Sequence, residues 1–260
     1  MSKTKFKAVK VSDELATKAT ATSKPAYQWF DPAGHGIVMS KKGLWIRPET
    51  SDRYVEGQVR DYKFNYAGGP TVLDLGANIG AFSAKAFKEG AGKVIAVEPM
   101  PTSFFMLAKN TVGKNVVLLQ AACVNNPSAG PDMDIFVSKA HTMCSLYKIK
   151  GRGTMKVPVI QFQDLLDKHK PAIIKIDVEG SEFELMQLDM PDYVKQMAVE
   201  FTFTKKMLDP EAKVREIYDR YVANGWTFLG HQTVDGLLPS VTPKKGFFVN
   251  GTRTCLMVRP

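Results

Sequence analysis

The chain has 260 residues, 44% hydrophobic and 23% charged, the make-up of an ordinary globular protein; this excludes a disordered chain, a collagen-like repeat and a short disulfide scaffold. Lysine and arginine number 35 against 26 aspartates and glutamates, a net of +9, and such an excess raises nucleic acid, anionic membranes or acidic substrates as partners. The charge is local, however: residues 1–24 hold six lysines against Asp13 and Glu14, residues 135–163 hold Lys139, Lys148, Lys150, Arg152 and Lys156 with no acid, and the remainder balances.

Residues 1–24 lack sustained apolar periodicity and read as a mobile basic tail. Residues 25–69 mix aromatics with turns, as in Asp31-Pro32-Ala33-Gly34, end at the breaker Gly68-Gly69-Pro70, and read as an N-terminal cap. From residue 70 to 260 the pattern becomes regular. Thr71–Leu75 is a short buried strand, Ile79–Glu89 a helix, Lys93–Val97 a strand, Pro101–Thr111 a helix with proline in its first turn, and Val116–Gln120 a third strand. Residues 121–160 interrupt the alternation with a turn near Asn125-Asn126-Pro127 and one alternating strand, Met133–Val137. Loops leaving the carboxyl ends of parallel strands line the ligand crevice, so this insertion is expected on the substrate side. Phe162–His169 reads as helix, Ala172–Asp177 as strand, Glu182–Leu188 as helix, Met197–Phe203 as strand and Glu211–Asn224 as helix. The chain closes with two β-rich runs, Trp226–Leu229 and Phe247-Phe248-Val249 through Thr254–Val258; no helix fits between them, so their pairing is expected to be antiparallel. The pattern is that of an α/β fold with a mostly parallel sheet and helices on both faces.

Cys123, Cys144 and Cys255 form no CxxC pair, which suits a reducing cytoplasm better than a disulfide framework or a thiolate metal site. The histidines are isolated, so no metal is expected. No apolar run approaches the ~20 residues needed to cross a bilayer.

Chemistry concentrates at two strand ends. Asp74-Leu75-Gly76-Ala77-Asn78-Ile79-Gly80 leaves a strand and enters a helix. The glycines admit a closely approaching ligand, and Asp74 would repel a pyrophosphate, so the loop favours a cationic or zwitterionic ligand over a dinucleotide. Glu98 ends the second strand, where related sheets use an acid to bind a ribose diol. This combination suits S-adenosylmethionine, with its ammonium, sulfonium and ribose and no phosphate. The plainer alternative is a structural turn, with Glu98 capping the helix after Pro99. The second strand end is Ile174-Lys175-Ile176-Asp177-Val178-Glu179-Gly180. Asp177 is placed to orient or deprotonate an acceptor hydroxyl, or, with Glu179, to cap the next helix. His141 is a further candidate base, with an exposed loop histidine as its plain alternative. Glu200 is a candidate to pair with Lys205 or Lys206 near the site, with a strand-end surface pair as its plainer alternative.

Leu73–Ser83, Val97-Glu98-Pro99-Met100-Pro101, Ala121-Ala122 and Ile174–Glu182 together resemble the FkbM family of S-adenosylmethionine-dependent methyltransferases, and Ile46–Asp52 resembles the stretch that precedes its glycine loop. The resemblance spans residues 44–204. It implies a class I, Rossmann-like, seven-stranded sheet with an antiparallel last strand, and O-methylation of sugar or other polyhydroxylated acceptors. By motif, Asp74, Gly76, Asn78 and Gly80 would surround the methionine part of the cofactor, Glu98 its ribose and Ala121 and Ala122 its adenine, with Asp177 and Glu179 on the catalytic side. The expected partner is a small-molecule or glycan acceptor, anionic if the basic segment 135–163 contacts it. Two rivals stand beside this reading: an RNA ribose 2′-O-methyltransferase, motivated by the basic segments, and a non-catalytic S-adenosylmethionine-binding scaffold.

Overall fold

The computed structural model describes residues 29–137, 144–145, 153–203, 209–229 and 251–260. The tail 1–24, His141, Lys205, Lys206 and the run Phe247–Val249 lie outside them, as do all the basic residues of segment 135–163 except Lys156, which is exposed.

The cap opens with β1 (Trp29–Phe30), β2 (Gly36–Met39) and β3 (Trp45–Ile46), a small antiparallel sheet, and continues into α1 (Asp52–Gln58) and a 3-10 turn at Val59–Asp61. Then β4 (Thr71–Leu75), α2 (Ala81–Glu89), β5 (Lys93–Val97), α3 (Pro101–Asn110) and β6 (Val116–Leu119) follow in the expected alternation. Helix α2 starts two residues later than its apolar pattern suggests, because Asn78 (φ 49°) and Gly80 (φ 81°) occupy the left-handed region and cannot continue a helix.

The described residues of segment 121–160 hold more strand than their sequence suggests. It forms β7 (Ala122–Val124), β8 (Asp132–Val137), β9 (Cys144–Ser145) and the nine-residue β10 (Gly153–Gln161), a second sheet in the order β7-β10-β8-β9. Proline 158 hides β10 from a sequence reading because it cannot donate to a ladder. It stands where β10 passes from antiparallel pairing with β8 to parallel pairing with β7 at Val159. The chain continues through α4 (Phe162–His169), β11 (Ile173–Ile176), α5 (Glu182–Leu185), β12 (Gln196–Phe203), α6 (Pro210–Ala223), β13 (Thr227–Leu229) and β14 (Gly251–Val258). Asp209 caps α6, its carboxylate accepting from the Ala212 amide at 3.0 Å.

The main sheet has seven strands in the order β13-β14-β12-β11-β4-β5-β6. Strands β4, β5, β6, β11 and β12 run parallel, whereas the last strand, β14, is antiparallel to both neighbours. Alternation of side chains along each strand fixes the layers. Leu73, Leu75, Ile95, Val97, Ile174 and Ile176 pack under α4, α5 and α6. Val72, Val94, Ala96 and Ile173 pack under α2 and α3. Asp74 and Lys175 fall on this second face, in direct register with one another. Among the described residues, no helix is long and apolar enough to cross a membrane.

The cap is tied down by buried charge. Arg47 is 0% exposed; its Nε and Nη2 donate to the two Asp52 carboxylate oxygens at 2.9 Å each, Nη1 to Asp31 at 3.3 Å, and Nη2 to Ser103 of α3 at 3.4 Å. Asn110, at the end of α3, exchanges hydrogen bonds with the Trp45 backbone and donates to the Ile79 carbonyl, so one side chain fixes both β3 and the glycine loop. Removing one member of a buried ion pair leaves the other uncompensated, so Asp52→Ala is expected to cost about 3–5 kcal/mol of folding stability, read by urea denaturation.

Candidate active site

In open α/β sheets a ligand crevice opens where neighbouring strands leave in opposite directions. Here that point is β4, from which the chain builds outward through β5 and β6 and later, on the other side, through β11 and β12. A cavity of about 250 Å³ lies there. Its floor comes from the residues just past the strands: Gly76, Ala77 and Asn78 after β4; Glu98, Pro99 and Met100 after β5; Ala121 and Ala122 after β6; Asp177, Val178 and Glu179 after β11. The cap contributes a wall through Ser51, Tyr54, Val55, Gln58, Val59 and Tyr62, which recur at helical spacing along α1 and the turn after it. Ser145, from β9, also faces the cavity and donates to the Glu179 carbonyl at 2.9 Å.

The glycine loop is packed too tightly for a side chain. A Cβ on Gly76 would lie 1.7 Å from the Asp177 carbonyl oxygen, so the loop closes directly on the end of β11. The Gly76 and Ala77 amides donate to Val97, and the Asn78 amide donates to Glu98 Oε2 at 2.8 Å. Glu98 Oε1 accepts from the Met100 amide at 2.8 Å, so this carboxylate does orient the start of α3 while facing the cavity. Burial pushes its carboxyl up to about 7, against the lowering effect of those two amides.

Asp74 and Gly80 are not part of the cavity wall. Asp74 is 0% exposed, accepts from Ser83 Oγ at 2.7 Å, and sits 3.3 Å from the Lys175 ammonium. Gly80 lets α2 begin against Leu107 of α3, whose side chain a Cβ would meet at 2.8 Å. Lys175 links the two signature strand ends: its ammonium also lies 3.4 Å from Asp177 Oδ2 and donates to the Gly76 carbonyl at 2.7 Å. Burial works against this charge, but Asp74 and Asp177 outweigh it and hold the ammonium above the usual lysine range.

Two further residues, from outside the two signature strand ends, complete this network, and of them Tyr62 carries no local sequence signal for such a role. Tyr62 donates toward Asp177 Oδ2 at 3.4 Å and Glu200 Oε2 at 3.2 Å, and burial followed by those two carboxylates pushes its phenol far up. Glu200, which reads as a surface pair in the sequence, is buried, lines the cavity and accepts from Thr254 Oγ1 at 3.4 Å. Nor do Asp177 or Glu179 cap α5. The N-cap is Ser181, with no side-chain capping bond, while Glu182 reaches back to the Val178 and Gly180 amides at 3.3 and 3.0 Å. Burial pushes the Glu182 carboxyl up to about 7. Glu179 itself is held at φ 56°, an unusual backbone state beside the cavity.

The sheet order is that of the class I methyltransferase fold. A profile of the methyltransferase FkbM domain matches residues 74–219, more than half of the chain, and the chain belongs to that family. S-adenosylmethionine is therefore its cofactor. No curated protein matches the chain at a significant level. Among solved structures, the chain is similar to a precorrin-6y C5,15-methyltransferase from Geobacter metallireducens GS-15 at 14% identity and TM-score 0.40, over 86% of this chain and 93% of that one. It is also similar to TYW2 of P. horikoshii in complex with MeSAdo at 13% identity and TM-score 0.46, over 86% of this chain and 71% of that one. Likeness at this distance does not bear on the acceptor.

The donor set fits the cofactor. Asn78 Oδ1 is a buried acceptor with no donor among the described residues, as a site for an ammonium group requires. Glu98, Asp177, Glu179 and Glu200 face the cavity, and among the described residues Lys175 is its one lining cation, already engaged with carboxylates. Such a wall suits a cationic ligand and repels a pyrophosphate.

Loss of the Lys175 charge leaves Asp74 and Asp177 without their shared cation. Lys175→Met is expected to cost about 3–5 kcal/mol, and adding Asp74→Asn is expected to recover part of that loss, both measured by chemical denaturation.

Proposed function

We propose that the protein transfers the methyl group of S-adenosylmethionine to a hydroxyl oxygen of a sugar or other small polyhydroxylated acceptor, with Asp177 receiving the hydroxyl proton. The observation that carries this reading is the state of the Asp177 carboxylate. Its Oδ2 is held by Lys175 and Tyr62, while Oδ1, in a side chain 28% exposed at the cavity, has no partner among the described residues. An anchored carboxylate with one open oxygen is what a general base requires. The hydrogen-bonding groups of Ser51, Tyr54 and Gln58 on the cap wall suit a polyhydroxylated molecule.

When bound, the cofactor supplies a sulfonium methyl, whose C–S bond breaks with its electron pair left on a neutral thioether as the acceptor oxygen takes the carbon. The chain's own part is positioning and proton acceptance. In this reading Gly76 and Asn78 hold the methionine end, Glu98 the ribose, and Ala121 and Ala122 the adenine. Asp74 and Gly80 act one step back, Asp74 through Lys175 and Gly80 through the packing of α2. The free cysteines, Cys123 and Cys255 among them buried, suit a reducing compartment, the cytoplasm.

Incubation with methyl-labelled S-adenosylmethionine and fractionated cell extract is expected to label carbohydrate or small polyhydroxylated metabolites. Asp177→Asn is expected to lower that rate about 10²–10⁴-fold while S-adenosylhomocysteine still binds in calorimetry; full activity in this variant contradicts the assignment. Label entering RNA, with a rate that falls steeply with salt, would favour the polyanionic acceptor that the basic segments suggest.

The pH dependence of cofactor binding follows from Glu98. Burial pushes its carboxyl up to about 7, and ribose hydroxyls donate more strongly to the charged form than to the neutral acid. Affinity for S-adenosylhomocysteine is therefore expected to level off above that pH and to fall as pH drops below it, by up to about tenfold per unit. Glu98→Gln is expected to weaken binding and flatten the profile in titration calorimetry.

A further inference from the structure

The proton-accepting carboxylate is not held by the matched family domain alone. Tyr62 belongs to the cap, just past the turn Val59–Asp61 and before the matched segment begins at residue 74. It is 3% exposed, its ring packs edge-on against Phe82 of α2 at 5.4 Å between centroids, and its backbone carbonyl accepts from Lys85 Nζ at 2.7 Å. The ring is thus set by α2, and the hydroxyl is delivered to Asp177, just past β11, and to Glu200 within β12.

That hydroxyl has one hydrogen and two carboxylate acceptors, Asp177 Oδ2 at 3.4 Å and Glu200 Oε2 at 3.2 Å. Lys175 lies 5.9 Å from the ring centroid and pairs with Asp177 and Asp74, and Thr254 of β14 donates to the same Glu200 oxygen. Without the shared hydrogen, two anions approach one another across the phenol position. With it, the Asp177 carboxylate is held at one oxygen from two sides, by the Lys175 ammonium and by the phenol.

We propose that Tyr62 is a positioning residue for methyl transfer: its hydroxyl, shared between Asp177 and Glu200, locks Asp177 through Oδ2 so that Oδ1 is the oxygen that takes the acceptor's proton. The inference rests on Asp177 as the base. It also makes the cap part of the reaction machinery, because the cap brings a donor that the strand ends do not themselves supply. The proton balance is simple: the acceptor O–H proton passes to Asp177 Oδ1, and the Tyr62 hydrogen stays on its own oxygen.

The test compares wild type, Tyr62→Phe and Asp177→Asn, with methyl-labelled S-adenosylmethionine as donor and the extract fraction that wild type labels as acceptor. Phenylalanine keeps the ring against Phe82 and removes only the hydroxyl. The expected result for Tyr62→Phe is a rate at saturating acceptor lower by about 10- to 100-fold, the cost of a misplaced catalytic group. Its half-saturating amount of acceptor and its S-adenosylhomocysteine affinity are expected to stay within about twofold of wild type, well under the tenfold that 1.4 kcal/mol represents. A wild-type rate in Tyr62→Phe with an inactive Asp177→Asn overturns the role of Tyr62 and leaves the base assignment standing. A wild-type rate in Asp177→Asn overturns the base assignment, and this inference with it. Should Tyr62→Phe lose its fold, 4-fluorophenylalanine at position 62 decides the matter, because it fills the place of the hydroxyl without a hydrogen to donate: a rate lower by the same factor is expected, and a wild-type rate overturns the proposal.

Discussion

One buried ammonium organises the carboxyl edge of the sheet. Lys175 stands in the middle of an otherwise aliphatic strand, in register with Asp74 on β4, and touches Asp177 at the end of its own strand. A lone charge at that depth would be forced out or neutralised. Here it is flanked by two carboxylates and also donates to the Gly76 carbonyl, so it ties the glycine loop to the reactive strand end. The close approach of Gly76 to the Asp177 backbone does the same by packing. The loop that fits the cofactor and the residue assigned to the proton are therefore parts of one rigid construction, which is how positioning on strand ends contributes to rate.

The electrostatics of the cavity follow from the same arrangement. Lys175 spends its charge on carboxylates below and beside the cavity, and the cavity is left facing Glu98, Glu179 and Glu200. A cofactor that carries an ammonium and a sulfonium is attracted to such a wall. The net +9 of the chain does not describe this site: the basic tail and the 135–163 segment account for the excess, while the carboxyl edge of the sheet is acidic. Global charge and local chemistry point in opposite directions, and the local chemistry governs the cofactor.

Most of the sheet was legible from sequence because buried parallel strands are continuous apolar runs separated by helical periods. Strands β4 and β5 and helix α4 carry their expected bounds, and β13 pairs with β14 in the antiparallel sense that their sequence predicts. Charges interrupting apolar runs marked Asp74, Glu98, Lys175 and Asp177. Other features were hidden for identifiable reasons. Strands β1 and β3 are two residues long, too short for a period, and β10 contains a proline tolerated only because its ladder changes partner there. Tyr62 and Glu200 meet across 138 residues of sequence, a contact that only the closed sheet creates. A glutamate on a strand with lysines just beyond it reads more readily as surface, whereas Tyr62 of the cap and Thr254 of β14 both reach its carboxylate.

With Asp177 at the β11 strand end as the proton acceptor, this FkbM-family chain is proposed to move a methyl group to oxygen. Carbon-13 NMR of the product formed by wild-type protein from S-adenosylmethionine carrying a labelled methyl carbon tests this directly. The expected result is a methyl signal in the position of a methoxy carbon bonded to a saturated polyhydroxylated framework. A labelled methyl bonded to nitrogen, sulfur or carbon would contradict it.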